Sequence, residues 1–337
     1  MFGAAFTAIS RAALRGRWMA LAVALASPVA AQPAASEPAS QSPPTTVGGV
    51  TVTAKPDAPR KPLSPYNRAL KFIESQGQIS QTGTLARWDD PICPMTIGVS
   101  PDQAKFISYR VRHIADLVGA PKIRGKSCDA NVEIVFTTEP QKLIDAVAAK
   151  RSAYLGFHHV AEAKPLATVT QPIQGWYLTA TRGGGGAMAL DIATGNMGSI
   201  AGAPGSVDSL LNAGGSPGGC AGSRLSDCRS SQFANILILV DASRLQDAKI
   251  GPIADYIALL ALAQMKPVEG CGASPTVLEL LSTNCADRSA PEGLTETDLS
   301  FLKGLYSAQR GVVLGLQRDQ IADTMTQPTP NPPPPPR

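Results

Sequence analysis

The sequence predicts an α/β or α+β domain in which a mixed sheet of about four to five strands is flanked by helices. Strand-like and helical patterns alternate along the middle of the chain in the order β-α-β-α-β-β-α-α. About 250 residues separate two proline-rich tails, which is enough for one sizeable core. Because the chain also contains six cysteines, we expect disulfides to stabilise this fold.

The strongest helical pattern spans residues 101–118. Ser100 is its expected N-cap, Pro101 its first residue and Gly119 its stop signal. Weaker helical patterns occupy residues 64–76, 139–151 and 312–325. Another helix is expected after Thr295, because Thr295 and Asp298 form an aspartate variant of the capping box.

Runs of β-prone residues predict four strands. They are "RWDDPICPMTIGV" (87–99), "ANVEIVFTT" (130–138), "IQGWYLTATR" (173–182) and "ANILILVDA" (234–242). Between the last two, residues 183–233 are rich in glycine, serine and asparagine and lack periodicity. We expect a long loop there, with a short helix at "VDSLLN", and loops of this length are usually functional or disordered.

The beginning of the chain has the plan of a secretory signal peptide. Three arginines precede a short apolar run and the small residues "VAA", so cleavage is expected after Ala31. An uncleaved N-terminal anchor is the alternative interpretation. No later stretch is apolar for long enough to span a bilayer. We therefore expect a secreted or periplasmic protein without a transmembrane segment in the mature chain.

The two ends of the mature chain are rich in proline. Residues 32–65 are expected to be a disordered linker, in which "VGGVTVTA" could add to a sheet edge or act only as part of a tether. Residues 66–315 are expected to form a single globular domain. Residues 316–337 would hold the end of a helix and a polyproline tail, which is either a ligand for a proline-binding groove or a spacer.

The charge balance of the mature chain argues against a nucleic-acid partner. Residues 1–31 contain three arginines and no acids, so their removal leaves 27 basic and 26 acidic residues. No basic cluster interleaved with aromatic residues is present either. The partner is unknown, and a protein or envelope component could be contacted through the proline-rich tails.

The cysteine count is even, which predicts three disulfides in an oxidising compartment. Six cysteines allow fifteen pairings, but proximity in sequence favours Cys93–Cys128, Cys220–Cys228 and Cys271–Cys285. The spacings lack the close Cys-x-x-Cys or Cys/His pattern of a metal site. We expect no metal and no other cofactor.

Motifs for catalysis are weak in this sequence. "GGSPG" (214–218) matches Gly-x-Ser-x-Gly, but Pro217 lacks the N–H that an oxyanion hole requires after the serine. "TRGGGGAM" lacks the Gly-Lys-Ser/Thr of a phosphate loop. His113 lies inside the 101–118 helix, where a structural role is expected, and the adjacent His158 and His159 would point in opposite directions on a strand. The sequence therefore identifies no catalytic residue.

The helix "IGPIADYIALLALAQM" (250–265) is expected to be buried on most sides. Its Asp255 would lie in the first turn or just beyond, where a carboxylate interacts favourably with the helix dipole. Tyr256 would pack its ring and find a partner for its hydroxyl. We take Asp255, Tyr256, His158 and His159 as candidate pocket residues.

The region 84–310 resembles the metzincin-type zinc proteases in the order of its elements. A strand, the helix 250–265, "SPTVLELL" and "LTETDLSFLKGLY" follow one another as in that family, and the last two segments, with Arg87–Trp88, are similar to proteobacterial secreted proteins of unknown function. The resemblance places Asp255 and Leu259 at the two histidines and Tyr256 at the glutamate of His-Glu-x-x-His. It places Leu262 at the glycine and Met265 at the third ligand. Leucine cannot bind zinc, so the resemblance implies a scaffold that has lost its metal and its proteolytic activity.

Two hypotheses of function follow from the sequence. The first is a non-catalytic binding or structural protein on a zinc-protease-like scaffold. The second is a secreted hydrolase with a non-standard active site near Asp255 and the 183–233 loop. A redox protein that uses its cysteines is a third possibility, which would require free thiols in the mature chain.

Overall fold

The β-sheet lies within the part of the chain that the structure describes. The computed structural model describes residues 62–328 except 81, 124–127, 158, 186–187, 193–225, 227, 246–247, 269, 283–284 and 286–288. These residues belong to one compact unit, 60–337. Outside the described residues lie the predicted signal peptide, most of the expected linker, His158, the "VDSLLN" and "GGSPG" segments, Cys220 and the polyproline tail.

Seven α-helices are present among the described residues. They are α1 (Pro65–Gln76), α2 (Pro101–Val118), α3 (Pro140–Lys150), the short α4 (Ala163–Leu166), α5 (Ile250–Leu262), α6 (Glu296–Ser307) and α7 (Leu314–Met325). Three 3-10 turns span Ser152–Leu155, Val160–Glu162 and Val277–Leu281. No helix in this part of the chain combines the length and apolar character needed to cross a bilayer.

The five described strands form one mixed sheet, which confirms the coarse fold expected from the sequence. They are β1 (Pro94–Ile97), β2 (Val132–Thr137), β3 (Ile173–Arg182), β4 (Met188–Leu190) and β5 (Ser230–Asp241). Their order in the sheet is β1-β2-β5-β3-β4. The strands β1, β2 and β5 are parallel, whereas β3 runs antiparallel to both β5 and β4.

The expected helix caps are confirmed. Ser100 accepts a hydrogen bond from the backbone of Gln103 in a complete capping box, and Gly119 ends α2 in the left-handed conformation. Thr295 and Asp298 form the second capping box, at the start of α6.

Several expected boundaries differ in the structure. The predicted loop 183–233 contains β4, and β5 begins at Ser230, several residues before the expected start. The first predicted strand is only four residues long. The helical spans expected at 64–76 and 312–325 are found at Pro65–Gln76 (α1) and Leu314–Met325 (α7). The differences in the strands share a cause, because strand ends and short strands are stabilised by tertiary pairing that local sequence patterns do not record.

The two faces of the sheet are covered by different helices. Buried Ile134, Ile236 and Ile238 belong to the large core shared with α1, α2, α5, α6 and α7. On the opposite face, Leu237 and Leu239 cluster with Ile144 of α3. The alternation of consecutive β5 residues between the two cores explains why residues 236–240 of this strand form a continuous apolar run.

The dipeptide Arg87–Trp88 closes the ends of two helices. The Arg87 guanidinium donates hydrogen bonds to the carbonyl oxygens of Leu305 (2.6 Å) and Ala308 (2.7 Å), at the end of α6. The Trp88 indole N–H donates to the carbonyl of Ala261 (2.7 Å), at the end of α5. Since the last carbonyls of a helix lack partners within the helix, these bonds stabilise both ends.

The structure contains two of the disulfides expected from proximity in sequence. Cys93 is joined to Cys128 and Cys271 to Cys285. Cys228 is disulfide-bonded as well, but its expected partner Cys220 lies outside the described residues. The described cysteines therefore contain no free thiol, so the redox hypothesis has no support from them.

A buried carboxylate joins α6 to the 3-10 turn Val277–Leu281. Asp298 is fully buried and accepts hydrogen bonds from the Thr276 hydroxyl (2.6 Å), the Val277 N–H (2.8 Å), and the Thr295 N–H and hydroxyl. Burial raises the pKa of Asp298 to about 6, although the hydrogen bonds from Thr276, Thr295 and Val277 act in the opposite direction.

We predict that Asp298 makes the folded state less stable as the pH rises from about 4 to about 6. The folded protein keeps a proton in this range that the unfolded chain releases, so the Asp298 contribution is present below pH 4 and is lost through pH 6, by about 3 kcal/mol in total. Urea unfolding of wild type and Asp298→Asn across this range measures it. The free energy of unfolding of wild type, relative to that of Asp298→Asn, should fall as the pH rises from 4 to 6. A gap that is independent of pH would contradict the prediction. Wild type must be compared with the Asn variant because burial also raises the pKa values of Asp89 and Glu133. These two groups make the stability of both proteins depend on pH, and the comparison isolates the part that comes from Asp298.

We also predict that Gly304→Ala destabilises the contact between α6 and α7. A Cβ atom at Gly304 would lie 2.9 Å from the Ile321 carbonyl oxygen and 3.0 Å from its Cα, so the helices would have to move apart, at a cost of about 1–3 kcal/mol. Gly315→Ala in α7 is the matched control, because its Cβ would meet nothing within 4 Å. It should stabilise the helix by up to about 1 kcal/mol. Thermal unfolding checks both changes, and equal shifts in Tm would refute the account.

Candidate functional site

Helix α5 occupies the centre of the molecule and decides where a site can form. Ten successive residues, Ile253 to Leu262, are buried. Such a helix must find partners for its polar groups within the protein, since water does not reach them.

The one charged side chain in that buried stretch is paired. Asp255 accepts hydrogen bonds from Arg110 of α2, with Oδ1 at 2.5 Å from Nε and Oδ2 at 3.1 Å from Nη2. The two side chains are 2% and 1% exposed. The backbone N–H of Leu294 also donates to Asp255 Oδ2 (3.0 Å). This bidentate pair connects α2, α5 and the segment before α6.

Three aromatic side chains supply donors to the last carbonyls of α5. The Tyr177 hydroxyl of β3 donates to Leu260 (3.1 Å), and the Tyr306 hydroxyl of α6 donates to Leu262 (3.0 Å). Trp88 donates to Ala261, which lies between them. The C-terminal end of α5 is therefore fixed to the sheet and to α6.

Beside this end of α5 lies a groove of about 530 Å³. Residues of α5 and β3 line one part of it, and the segment 264–267 lines another. The lining residues are Gln78, Leu155, Gly156, Ala161, Glu162, Pro165, Leu166, Thr170, Gln171, Ile173, Gln174, Gly175, Tyr177, Tyr256, Leu260, Gln264, Met265, Lys266, Pro267 and Leu278. We call this feature the β3 groove.

The β3 groove follows a strand edge that has no described neighbour. Strand β4 pairs only with Ala180–Arg182, so the residues of β3 before Ala180 lack a strand on that side among the described residues. Gly156 packs against the backbone of β3 at Tyr177. It has a φ of +66°, and a Cβ there would lie 1.9 Å from the Tyr177 carbonyl oxygen.

The backbone groups of Ile173 and Gly175 point toward this edge. The Asp241 N–H donates to the Pro172 carbonyl (2.8 Å), which makes Pro172 and Asp241 a hydrogen-bonded pair. In an antiparallel ladder such pairs alternate with pairs whose backbone groups face outward. Ile173, opposite Val240, and Gly175, opposite Ile238, therefore present outward N–H and C=O groups to the groove.

The far wall of the β3 groove is held by backbone pairing between two loops. The Gln78 N–H donates to Gln264 (2.9 Å) and the Lys266 N–H donates to Gln76 (2.7 Å). The near wall is ordered by Gln174, whose side chain accepts from the Thr170 and Gln171 backbone and donates to Thr168. Both walls are thus built before any ligand binds.

The chemistry of the groove lining is that of amides and apolar groups. Four glutamines line it, whereas the described lining residues include no histidine, aspartate, cysteine or serine. Glu162 and Lys266 are its charged residues. Burial raises the pKa of Tyr256 to about 12 and raises that of Tyr177 further, so both phenols are neutral at physiological pH. This set suits hydrogen bonding to a neutral polar chain better than proton transfer.

The structure separates the candidate pocket residues that the sequence identified. Tyr256 lines the β3 groove. Asp255 begins the second turn of α5 and forms the ion pair with Arg110, so its expected interaction with the helix dipole is replaced by a stronger partner. His159 is exposed, and its backbone N–H donates to Glu162 (3.1 Å), at the rim of the groove. His158 lies outside the described residues.

The positions that the zinc-protease resemblance assigns to ligands do not form a ligand set. Asp255 is paired with Arg110, Leu259 is fully buried in the core, and Met265 lines the β3 groove. One group of three possible metal-ligand residues is found elsewhere among the described residues, formed by Cys271, Glu279 and Cys285.

Several residues of the site were not predicted from the sequence. The sequence predicts Arg110 only as one residue of the 101–118 helix. A cation that continues the apolar face of a helix indicates a buried partner for its charge, and Arg110 occupies such a position. Gly175 and Gln174 carried no signal, because an open strand edge is a property of the sheet and not of the strand.

Comparison of the chain with protein-family models, curated proteins and solved structures finds no match.

We predict that Arg110→Met destabilises the protein by about 3–5 kcal/mol, because it leaves the Asp255 carboxylate buried without its charged partner. The double variant Arg110→Met with Asp255→Leu should regain most of that loss, since an apolar pair can replace a buried ion pair. Lys105→Met is the control, because Lys105 pairs with Asp102 on the surface of the same helix and should have little effect. Chemical denaturation measures all three. A double variant as unstable as Arg110→Met would contradict the assignment.

Proposed function

We propose that the chain is a secreted or periplasmic protein without catalytic activity that binds an extended segment of polypeptide in the β3 groove. The observation that carries the proposal is the open edge of β3, where the outward backbone groups of Ile173 and Gly175 face a preformed groove. An extended chain can add to such an edge as a further strand, with main-chain hydrogen bonds supplying affinity.

The lining of the β3 groove supports a binding role over a hydrolytic one. Hydrolysis of a peptide bond requires a nucleophile or an activated water and a group that transfers protons. The described lining residues offer glutamine amides, neutral phenols and apolar side chains. The hydrolase alternative also relied on Asp255, whose carboxylate is engaged by Arg110.

The expected loss of zinc agrees with this proposal. In the zinc-protease resemblance, the helix that corresponds to α5 would carry the metal. In this chain the equivalent of the second histidine, Leu259, is a core residue, and the equivalent of the first, Asp255, is paired with Arg110. We propose that the scaffold has kept a groove for a polypeptide and has replaced the metal centre with packing.

The test uses peptides whose backbone donors are removed one at a time. A library of random decapeptides is selected on the immobilised mature protein, and a selected peptide is then N-methylated at each position in turn. Strand addition predicts an alternation, in which every second methylation weakens binding by roughly five- to tenfold for each lost hydrogen bond while the others have little effect. Mass spectrometry should find the bound peptide intact.

Two protein variants locate the binding site. Gly175→Ala should weaken binding, because its Cβ would lie 2.8 Å from the Tyr177 hydroxyl oxygen and would displace the ring. Gly185→Ala is the matched control beyond the end of β3, since its Cβ would meet nothing within 4 Å. Equal effects of methylation at all positions, or equal affinities for the two variants, would refute strand addition at β3. Cleavage of the peptide would refute the non-catalytic role.

A further inference from the structure

A carboxylate lies beside the Cys271–Cys285 disulfide. The two sulfur atoms and an oxygen of Glu279 all lie within 4.8 Å of one another. Among the described residues, this is the one group of three potential metal ligands at such distances. In the part of the chain that the structure describes, the Cys93–Cys128 disulfide belongs to no group of this kind.

Glu279 is held in this position by the fold. It is fully buried at the start of the 3-10 turn Val277–Leu281, and its Oε1 accepts a hydrogen bond from the Gly272 N–H (3.0 Å). Because Gly272 directly follows Cys271, this bond fixes the carboxylate next to the disulfide.

Solvent has access to the same place. Cys271 is exposed, and a groove of about 430 Å³ is lined by Cys271, Gly272, Thr276 and Glu279 together with Arg68 and Lys71 of α1. A hydrated ion could therefore reach the sulfur atoms without unfolding of the core, which is the entry path that a metal site requires.

We propose that reduction of the Cys271–Cys285 disulfide converts this cluster into a binding site for a divalent zinc-like cation. Without a cation the two cysteines stay protonated as thiols beside the carboxylate, because three negative charges within a few ångströms are unfavourable. A bound Zn²⁺ takes the place of the two protons and stabilises both thiolates. The cluster of Cys271, Glu279 and Cys285 therefore has two forms, a disulfide in the absence of reductant and a metal-bound dithiolate in the presence of reductant and zinc.

The donor set matches the chemistry of zinc. Zinc binds thiolate sulfur at about 2.3 Å and carboxylate oxygen at about 2.0–2.2 Å in a tetrahedral array, so the three donors around it lie within about 4 Å of one another. Small movements from the present arrangement achieve this. Because Cys271 and Glu279 also line the open groove, water from the groove could supply the fourth ligand.

The conversion needs a thiol reductant, either one dithiol or two molecules of a monothiol such as glutathione. The reductant supplies two electrons that break the Cys271–Cys285 bond, is itself oxidised to a disulfide, and gives two thiol hydrogens to the cysteine sulfurs. Zinc then displaces two protons to solvent as it binds the two sulfur atoms.

The experiment equilibrates the mature protein in glutathione redox buffers with and without buffered Zn²⁺. Thiols are trapped by alkylation and identified by mass spectrometry. We expect zinc to increase the reduced fraction of Cys271 and Cys285 and to leave Cys93 and Cys128 unchanged. In Glu279→Gln the amide oxygen can still accept a hydrogen bond from Gly272. The zinc affinity of the reduced variant should be at least about tenfold lower than that of wild type, because even the loss of an outer-shell partner has an effect of this size. A correspondingly higher zinc concentration should be needed for the same increase in the reduced fraction.

A second readout uses Co²⁺ as a spectroscopic probe. The protein is reduced with a phosphine, separated from it without oxygen and titrated with Co²⁺. Wild type should show the thiolate-to-cobalt charge-transfer band of a tetrahedral site, which Glu279→Gln should weaken. Cys271→Ser with Cys285→Ser should lack the band while circular dichroism verifies its fold. The proposal is overturned if zinc shifts both disulfides equally, if Glu279→Gln binds either metal as tightly as wild type, or if the double serine variant retains the band.

Discussion

The buried pair between Arg110 and Asp255 is the interaction on which the rest of the structure depends. Helix α5 lies inside the main core with almost no contact with water, so a carboxylate on it is tolerated only if a fixed cation and hydrogen-bond donors accompany it. Arg110 provides the cation from α2, and the Leu294 backbone provides a further donor. The pair therefore sets the position of α2 along α5 and aligns the segment that leads into α6, which an apolar contact alone would leave free to slide.

The shape of the β3 groove depends on how the C-terminal end of α5 is fixed. Tyr177 has two roles, since its hydroxyl caps a carbonyl of α5 and its ring lies over Gly175 in the β3 groove. Trp88 and Tyr306 fix the neighbouring carbonyls. A change that loosens the end of α5 would therefore also change the groove, although none of these bonds touches a ligand. In the proposed binding site, stability and recognition would therefore depend on the same side chains.

Part of the fold and little of the site could be predicted from the sequence. The capping boxes at Ser100 and Thr295 and the apolar run of β5 are local signals, and the structure confirms each of them. The sequence identifies Asp255 as a candidate pocket residue, but its partner is 145 residues away along the chain, and no local pattern identifies such a pair. Likewise β4 is too short to have a reliable pattern, and it is stabilised by pairing with β3.

The sequence by itself determined most of the helices and strands, many of their ends and two of the cysteine pairs, because these depend on periodicity, caps and short separations. Only the tertiary structure decided that β3 runs antiparallel beside β5 with no described strand along its other edge before Ala180, that α5 is joined to α2 through Asp255, and that Glu279 lies against a disulfide. The physical reason is that these features are relations between distant segments. A strand edge, a buried ion pair and a cluster of donors exist only after the chain has folded.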